Sequence, residues 1–142
     1  MAGTKTPADV FKIAMSMIDS LSQAGVADVS DNSDYKNRTL PILNVLQIDL
    51  YPFSDQHSVA TSGVRPVPSP ITSFDYIMTD VDDALAGGVM PYGLAGHLLL
   101  GEGDERGNFY INSYNELKRQ FMNTPAEFST IEDVYGIRDY SV

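Results

Sequence analysis

The stretch Asp82-Asp83-Ala84-Leu85-Ala86-Gly87-Gly88-Val89-Met90-Pro91-Tyr92-Gly93-Leu94-Ala95-Gly96-His97-Leu98-Leu99-Leu100 is apolar enough to be buried and small enough on one side for close packing. It holds no group suited to covalent chemistry. Each glycine in a helix costs about 1 kcal/mol relative to alanine, so something must offset Gly87, Gly88, Gly93 and Gly96. Either the backbone approaches another element closely, within the subunit or at a subunit interface, or these positions need special dihedrals. Pro91 is expected to break the stretch into two short helices. Asp80 is the expected N-cap of the first, beginning near Val81, with Asp82 and Asp83 set against the helix dipole. The second is expected over Tyr92 to Leu100, stopping at Gly101.

Outward from this centre, the chain reads as mainly α: a small bundle of about four helices with a long loop, room for a short β segment, and an extended C-terminal arm. Thr6, Pro7 and Asp9 signal the start of a first helix, with Asp9 closing a capping box. Val10, Ala14, Met17, Ile18 and Leu21 give it one apolar face, and Gly25 is the expected C-cap. A second helix is expected from Tyr35 or Thr39 to Tyr51. Its stripe is Leu40, Leu43, Leu46 and Leu50, but Ile42, Val45 and Ile48 make it apolar on other sides too, as suits a central or interface helix. Pro41 fits its first turn if Thr39 is the cap and otherwise kinks a longer helix. Residues 54–69 read as a long loop, and Ile71 to Met78 as a short strand or extended segment. A last helix starts at Gly103-Asp104 with the stripe Tyr110, Tyr114, Leu117 and Phe121. The domain thus covers residues 1–124, and residues 125–142 form an arm too apolar for a disordered tail.

Composition narrows the function. The chain of 142 residues has no cysteine, which removes disulfides, thiolate metal sites and a cysteine nucleophile. The net charge is −10, with no Lys or Arg between Arg65 and Arg106. Nine scattered basic residues make a poor grip on nucleic acid or on an anionic membrane. The longest apolar run reads as about two turns, too short for a membrane span, and with no hydrophobic run after Lys5 no signal peptide is expected.

No constellation points to catalysis, a cofactor or a metal. Asp80, Asp82 and Asp83 resemble the start of a calcium loop, but Ala84, Leu85 and Pro91 stand where an oxygen donor, Gly and Glu belong. Gly101-Glu102-Gly103 with Gly107 lacks dinucleotide-binding spacing and reads as an interhelix turn. His57 lies in the loop, and His97, set among apolar residues, reads as a hydrogen-bonded packing histidine. No serine stands in a nucleophile elbow. The expectation is a protein without enzymatic activity.

Several segments resemble the head-to-tail adaptor, or head-completion, proteins of tailed bacteriophages. They are Tyr35-Lys36-Asn37-Arg38-Thr39 leading to Leu43-Asn44-Val45-Leu46-Gln47, the run from Leu85 to Leu100 around Pro91-Tyr92-Gly93-Leu94-Ala95, Tyr114-Asn115-Glu116-Leu117-Lys118, and Ile131-Glu132-Asp133-Val134-Tyr135-Gly136. Their order and spacing carry the likeness across about three quarters of the chain. The resemblance implies a homo-oligomer, a dodecameric ring beneath the portal protein. Such a ring extends the channel through which genomic DNA passes without specific binding, and it docks a stopper or tail-completion protein. It implies a place in the virion neck after synthesis in the host bacterial cytoplasm, with no cofactor and no membrane. The arm residues Phe128, Ile131, Val134, Tyr135, Ile137 and Tyr140 are then the expected partner contacts, and Gly87, Gly88, Gly93 and Gly96 the expected subunit contacts. The other reading is a small, acidic, soluble helical regulator or inhibitor that binds a protein partner.

Overall fold

Thr6 opens the first helix as its sequence predicts. In the computed structural model, which describes residues 3–18, 25, 32–54 and 64–122, the Thr6 side chain accepts from the Asp9 backbone N–H, and the Asp9 carboxylate accepts in return from the Thr6 backbone. Helix α1 runs Pro7–Met17 and ends at Ile18, whose N–H bonds to the Ala14 carbonyl. Gly25 has a φ of 76° but caps nothing in α1, which ends well before it; Leu21 lies outside the described residues. Phe11 and Met15 are buried beside the expected Val10, Ala14 and Ile18, so the apolar face is wider than the spacing suggested.

Helix α2 covers Ser33–Leu50 and so contains Pro41. Thr39 is not a cap: it lies in the buried interior, and its hydroxyl donates to the Tyr35 carbonyl one turn back at 2.7 Å. Pro41 has no N–H for the Asn37 carbonyl, but both residues are exposed, so water meets that carbonyl and the helix continues. A 3-10 turn over Tyr51–Phe53 follows.

Helix α3 spans Asp83–Gly88 and α4 spans Met90–Gly101, with Val89 and Pro91 between and just after the junction. The cap is Asp82 rather than Asp80, two residues later than the sequence suggested, and it makes no side-chain capping bond. The two helices nearly stack, so the apolar run is longer than two turns. Taken together, Asp83–Gly101 is a 19-residue stretch with mean hydropathy 1.2, enough by length and composition to cross a membrane, yet 61% of it is buried inside the protein. That burial is the pattern of a core helix, and α4 is the centre of the bundle. It packs on α1, α2, α3 and on α5, which spans Arg106–Met122.

The turn into α5 needs Gly103 at φ 78°, a left-handed conformation that a side chain resists. Asp104 then receives the Arg106 N–H on Oδ1 at 2.9 Å and starts α5. The expected stripe is observed: Tyr114 is buried, and Tyr110, Leu117 and Phe121 pack on the core.

No strand occurs among the described residues. The stretch from Ile71 to Met78 turns at Ser73–Asp75, and among the described residues three backbone hydrogen bonds join it and Thr79 to the N-terminal residues: Ala8 N–H to the Phe74 carbonyl, Met78 N–H to the Lys5 carbonyl and Gly3 N–H to the Thr79 carbonyl. These scattered bonds do not make a continuous ladder.

Candidate docking surface

The α2 helix presents its leucines to the core and a second apolar row to solvent. Leu43, Leu46 and Leu50 are buried, while Val45 is 63% and Ile48 59% exposed. Pro41, Val45, Ile48 and Pro52 recur at i, i+4, i+7 and i+11, which places them on one side of the helix. A hollow of about 260 Å³ lies at one end of this row, lined by Pro41, Ile42, Val45 and His97. A second, of about 190 Å³, lies at the other end, lined by Ile48, Tyr51, Pro52 and residues 65–68. Val64 and Val67 are 68% and 66% exposed beside the second hollow. Burying a valine or isoleucine side chain is worth roughly 1.5–3 kcal/mol, so a partner that covers these four residues gains several kcal/mol.

The far wall of the second hollow is held by polar residues that the sequence pattern did not reveal. Asn44 accepts the Ile71 N–H at 2.7 Å and donates to the Ile71 carbonyl at 3.1 Å, pairing with the backbone as a strand neighbour would. Gln47, 1% exposed, donates to the Ser69 carbonyl at 2.8 Å. The Ser69 N–H in turn donates to Asp80 Oδ2 at 2.8 Å. Ser69 and Ile71, which follow the lining residues 65–68, are therefore fixed against α2.

The three aspartates that resembled a calcium loop are used separately. Asp80 holds Ser69. The Asp82 N–H donates to Ser54 Oγ at 3.3 Å. Asp83 accepts from the Thr4 hydroxyl at 2.6 Å, the Thr4 N–H at 2.7 Å and the Lys5 N–H at 3.2 Å. These bonds, the Thr4 hydroxyl first, hold the Asp83 carboxyl below its ordinary pKa. Among the described residues, no group of three His, Cys, Asp or Glu is placed to hold a metal ion.

His97 is exposed on the rim of the first hollow, which corrects its reading as a packing histidine. Its chain neighbours Gly96 and Leu98 are buried, while position 97 is exposed beside Pro41, Ile42 and Val45 of α2. His57 lies outside the described residues.

The glycines divide into two pairs. A Cβ on Gly93 would lie 2.8 Å from the Tyr114 ring and 3.0 Å from Leu46, and a Cβ on Gly96 would lie 2.7 Å from Ile111. The close approach at these two positions is made within the chain, between α4 and its neighbours. Gly87 meets only Lys5 Cε at 3.6 Å, and Gly88 nothing within 4 Å. The four glycines thus do not share one surface. The arm residues Phe128, Ile131, Val134, Tyr135, Ile137 and Tyr140 lie outside the described residues.

The turn at Gly101-Glu102-Gly103 is an interhelix turn, and Glu102 accepts from the Tyr35 hydroxyl at 2.8 Å. Burial and this carboxylate push the Tyr35 phenol up to about 12. Nearby, Arg38 donates to the Leu98 carbonyl at 3.3 Å, placing a cation at the C-terminal end of α4, where the helix dipole favours it. These contacts fasten α2 to α4 and leave the outward face of α2 to solvent.

No protein-family model, no curated protein and no solved structure matches the chain.

Proposed function

We propose that this chain is a structural adaptor of a tailed-bacteriophage neck. It assembles as a ring under the portal protein, extends the DNA channel, and docks the next neck or tail protein. The observation that carries the reading is the outward apolar face of α2, with Pro41, Ile42, Val45 and His97 around a hollow of about 260 Å³. A rigid apolar face with few charges is what a permanent subunit contact uses. The segment order described above points the same way, since Tyr35 to Gln47 of α2 and Leu85 to Leu100 of α3 and α4 belong to it. The net charge of −10 suits a channel wall, because carboxylates repel DNA phosphates and let the duplex slide. A ring needs two different patches on each subunit, and the α2 face supplies one.

Native mass spectrometry of the chain, alone and with the portal protein of the same genome, tests this. A ring on the portal, dodecameric by resemblance, is the expected result. The second reading, a small acidic regulator that mimics nucleic acid, draws on the same charge. A strict monomer that ignores portal protein and captures a basic DNA-binding protein favours it.

A further inference from the structure

The second hollow differs from the first in carrying a cation. Arg65 is exposed at its edge beside Ile48, Pro52 and Val67, and no ion pair to it occurs among the described residues. Along the chain, the next basic residue after Arg65 is Arg106.

The chain also ends its last helix close to this hollow. Lys118 Nζ lies 2.8 Å from Asp49 Oδ2, and Asp49 directly follows Ile48. Phe121 packs on the core one turn later. The backbone therefore leaves α5 at Met122 beside the C-terminal end of α2, with 20 residues of sequence still to come. Nine extended residues reach about 30 Å, ample to bring Ile131 back to Ile48. This segment carries four acidic residues against one arginine, and its apolar residues flank Glu132-Asp133.

We propose that residues 126–142 dock in their own subunit into the hollow formed by Ile48, Pro52, Arg65 and Val67. Ile131, Val134 and Tyr135 cover the exposed valine and isoleucine side chains, and Glu132-Asp133 face Arg65. The exposed Arg65 favours this hollow over the larger one of about 440 Å³ at Phe109, Tyr110 and Leu117, where the one charged lining residue, Glu116, is already paired with Arg119 at 3.5 Å. It also leaves Pro41, Ile42, Val45 and His97 free for a partner. The docking is a property of the isolated chain and does not depend on the neck-ring reading.

The absence of cysteine makes the test clean. The full-length double variant Val67→Cys/Val134→Cys is oxidised at low protein concentration beside a control, Phe109→Cys/Val134→Cys; Val67 and Phe109 are equally exposed, at 66% and 65%. The expected result is an intrachain disulfide that forms about ten-fold faster at Val67, through raised effective concentration. Adding Arg65→Glu should slow it several-fold, and adding Glu132→Arg with Asp133→Arg to that variant should restore it. Equal rates at Val67 and Phe109 would overturn the proposal. So would disulfide-linked dimers in place of the intrachain product, or a rate indifferent to Arg65→Glu.

Discussion

Tyr114 on α5 donates its phenolic hydrogen to Asp49 on α2 at 2.6 Å, across 65 residues of sequence. Lys118, one turn further along α5, reaches the same oxygen at 2.8 Å. Burial pushes the Asp49 carboxyl upward, but the hydrogen bonds from Lys118 and Tyr114 outweigh it and hold the group below its ordinary value. Burial first, and Asp49 second, push the Tyr114 phenol well above its own. This pair fastens α5 to α2 at the end of α2 where the second hollow begins.

Tyr114→Phe keeps the ring that packs against Gly93 and removes only the hydroxyl. A hydrogen bond to a charged group is worth roughly 1.5–3 kcal/mol, and solvent at the half-exposed carboxylate reduces that, so a loss of about 1 kcal/mol is expected. Urea unfolding should show a lower midpoint with an unchanged m-value.

Acid should destabilise the fold through its low-pKa aspartates. Asp49, Asp83 and Asp104 are all held below their ordinary values in the folded chain. Their stabilisation is complete above the unfolded value of about 3.9 and is lost as pH falls through the folded values. Unfolding midpoints measured from pH 7 down to pH 2 should fall below about pH 4, and Asp49→Asn should flatten that fall.

Alkali acts with the opposite sign. Tyr35 is raised from 10.0 to about 12, so its contribution is present below pH 10 and is lost as pH rises from 10 to about 12. Tyr35→Phe should remove part of the alkaline loss, read from stability curves across that interval.

The two glycine pairs should respond oppositely to alanine. Gly96→Ala drives a Cβ to 2.7 Å from the Ile111 side chain and 3.0 Å from its backbone nitrogen. A loss of about 1–3 kcal/mol is expected from such overpacking. Gly88→Ala, with open space around it, should gain about 0.5 kcal/mol from the lower entropy of the unfolded chain. Thermal melts of the two variants check both signs.

Much of the bundle was legible in residue patterns. The Thr6–Asp9 capping box, the leucine stripe of α2, the break near Pro91 and the aromatic stripe of α5 all follow from local rules that tertiary packing did not override. The misreadings came where a tertiary contact replaces a local one. Pro41 fits either a first turn capped by Thr39 or the interior of a longer helix, and the longer helix is the one observed, beginning at Ser33. Asp80 reads as a cap because it precedes an apolar run, yet its carboxylate is taken by Ser69, and Asp82 stands at the helix start instead. Ile71 to Met78 reads as a short strand or an extended segment, and the fold shows no strand there, because its N-terminal neighbours offer only scattered backbone bonds. The docking face was half visible. Ile42, Val45 and Ile48 marked α2 as apolar all round, while only the fold shows which side the core leaves open. Asn44 and Gln47, which set the wall of the second hollow, give no signal in a hydrophobic pattern because their partners are backbone groups over 20 residues away.

The claim that α2 is an assembly surface is tested most directly by Val45→Asp. The side chain is exposed, so the variant should keep its helical circular dichroism and melt within a few degrees of the parent, since such surface changes stay within about 0.5 kcal/mol. Native mass spectrometry with the portal protein of the same genome should then show the ring for the parent chain and free subunits for the variant. A variant that still forms the ring at the parent's concentration would contradict the account.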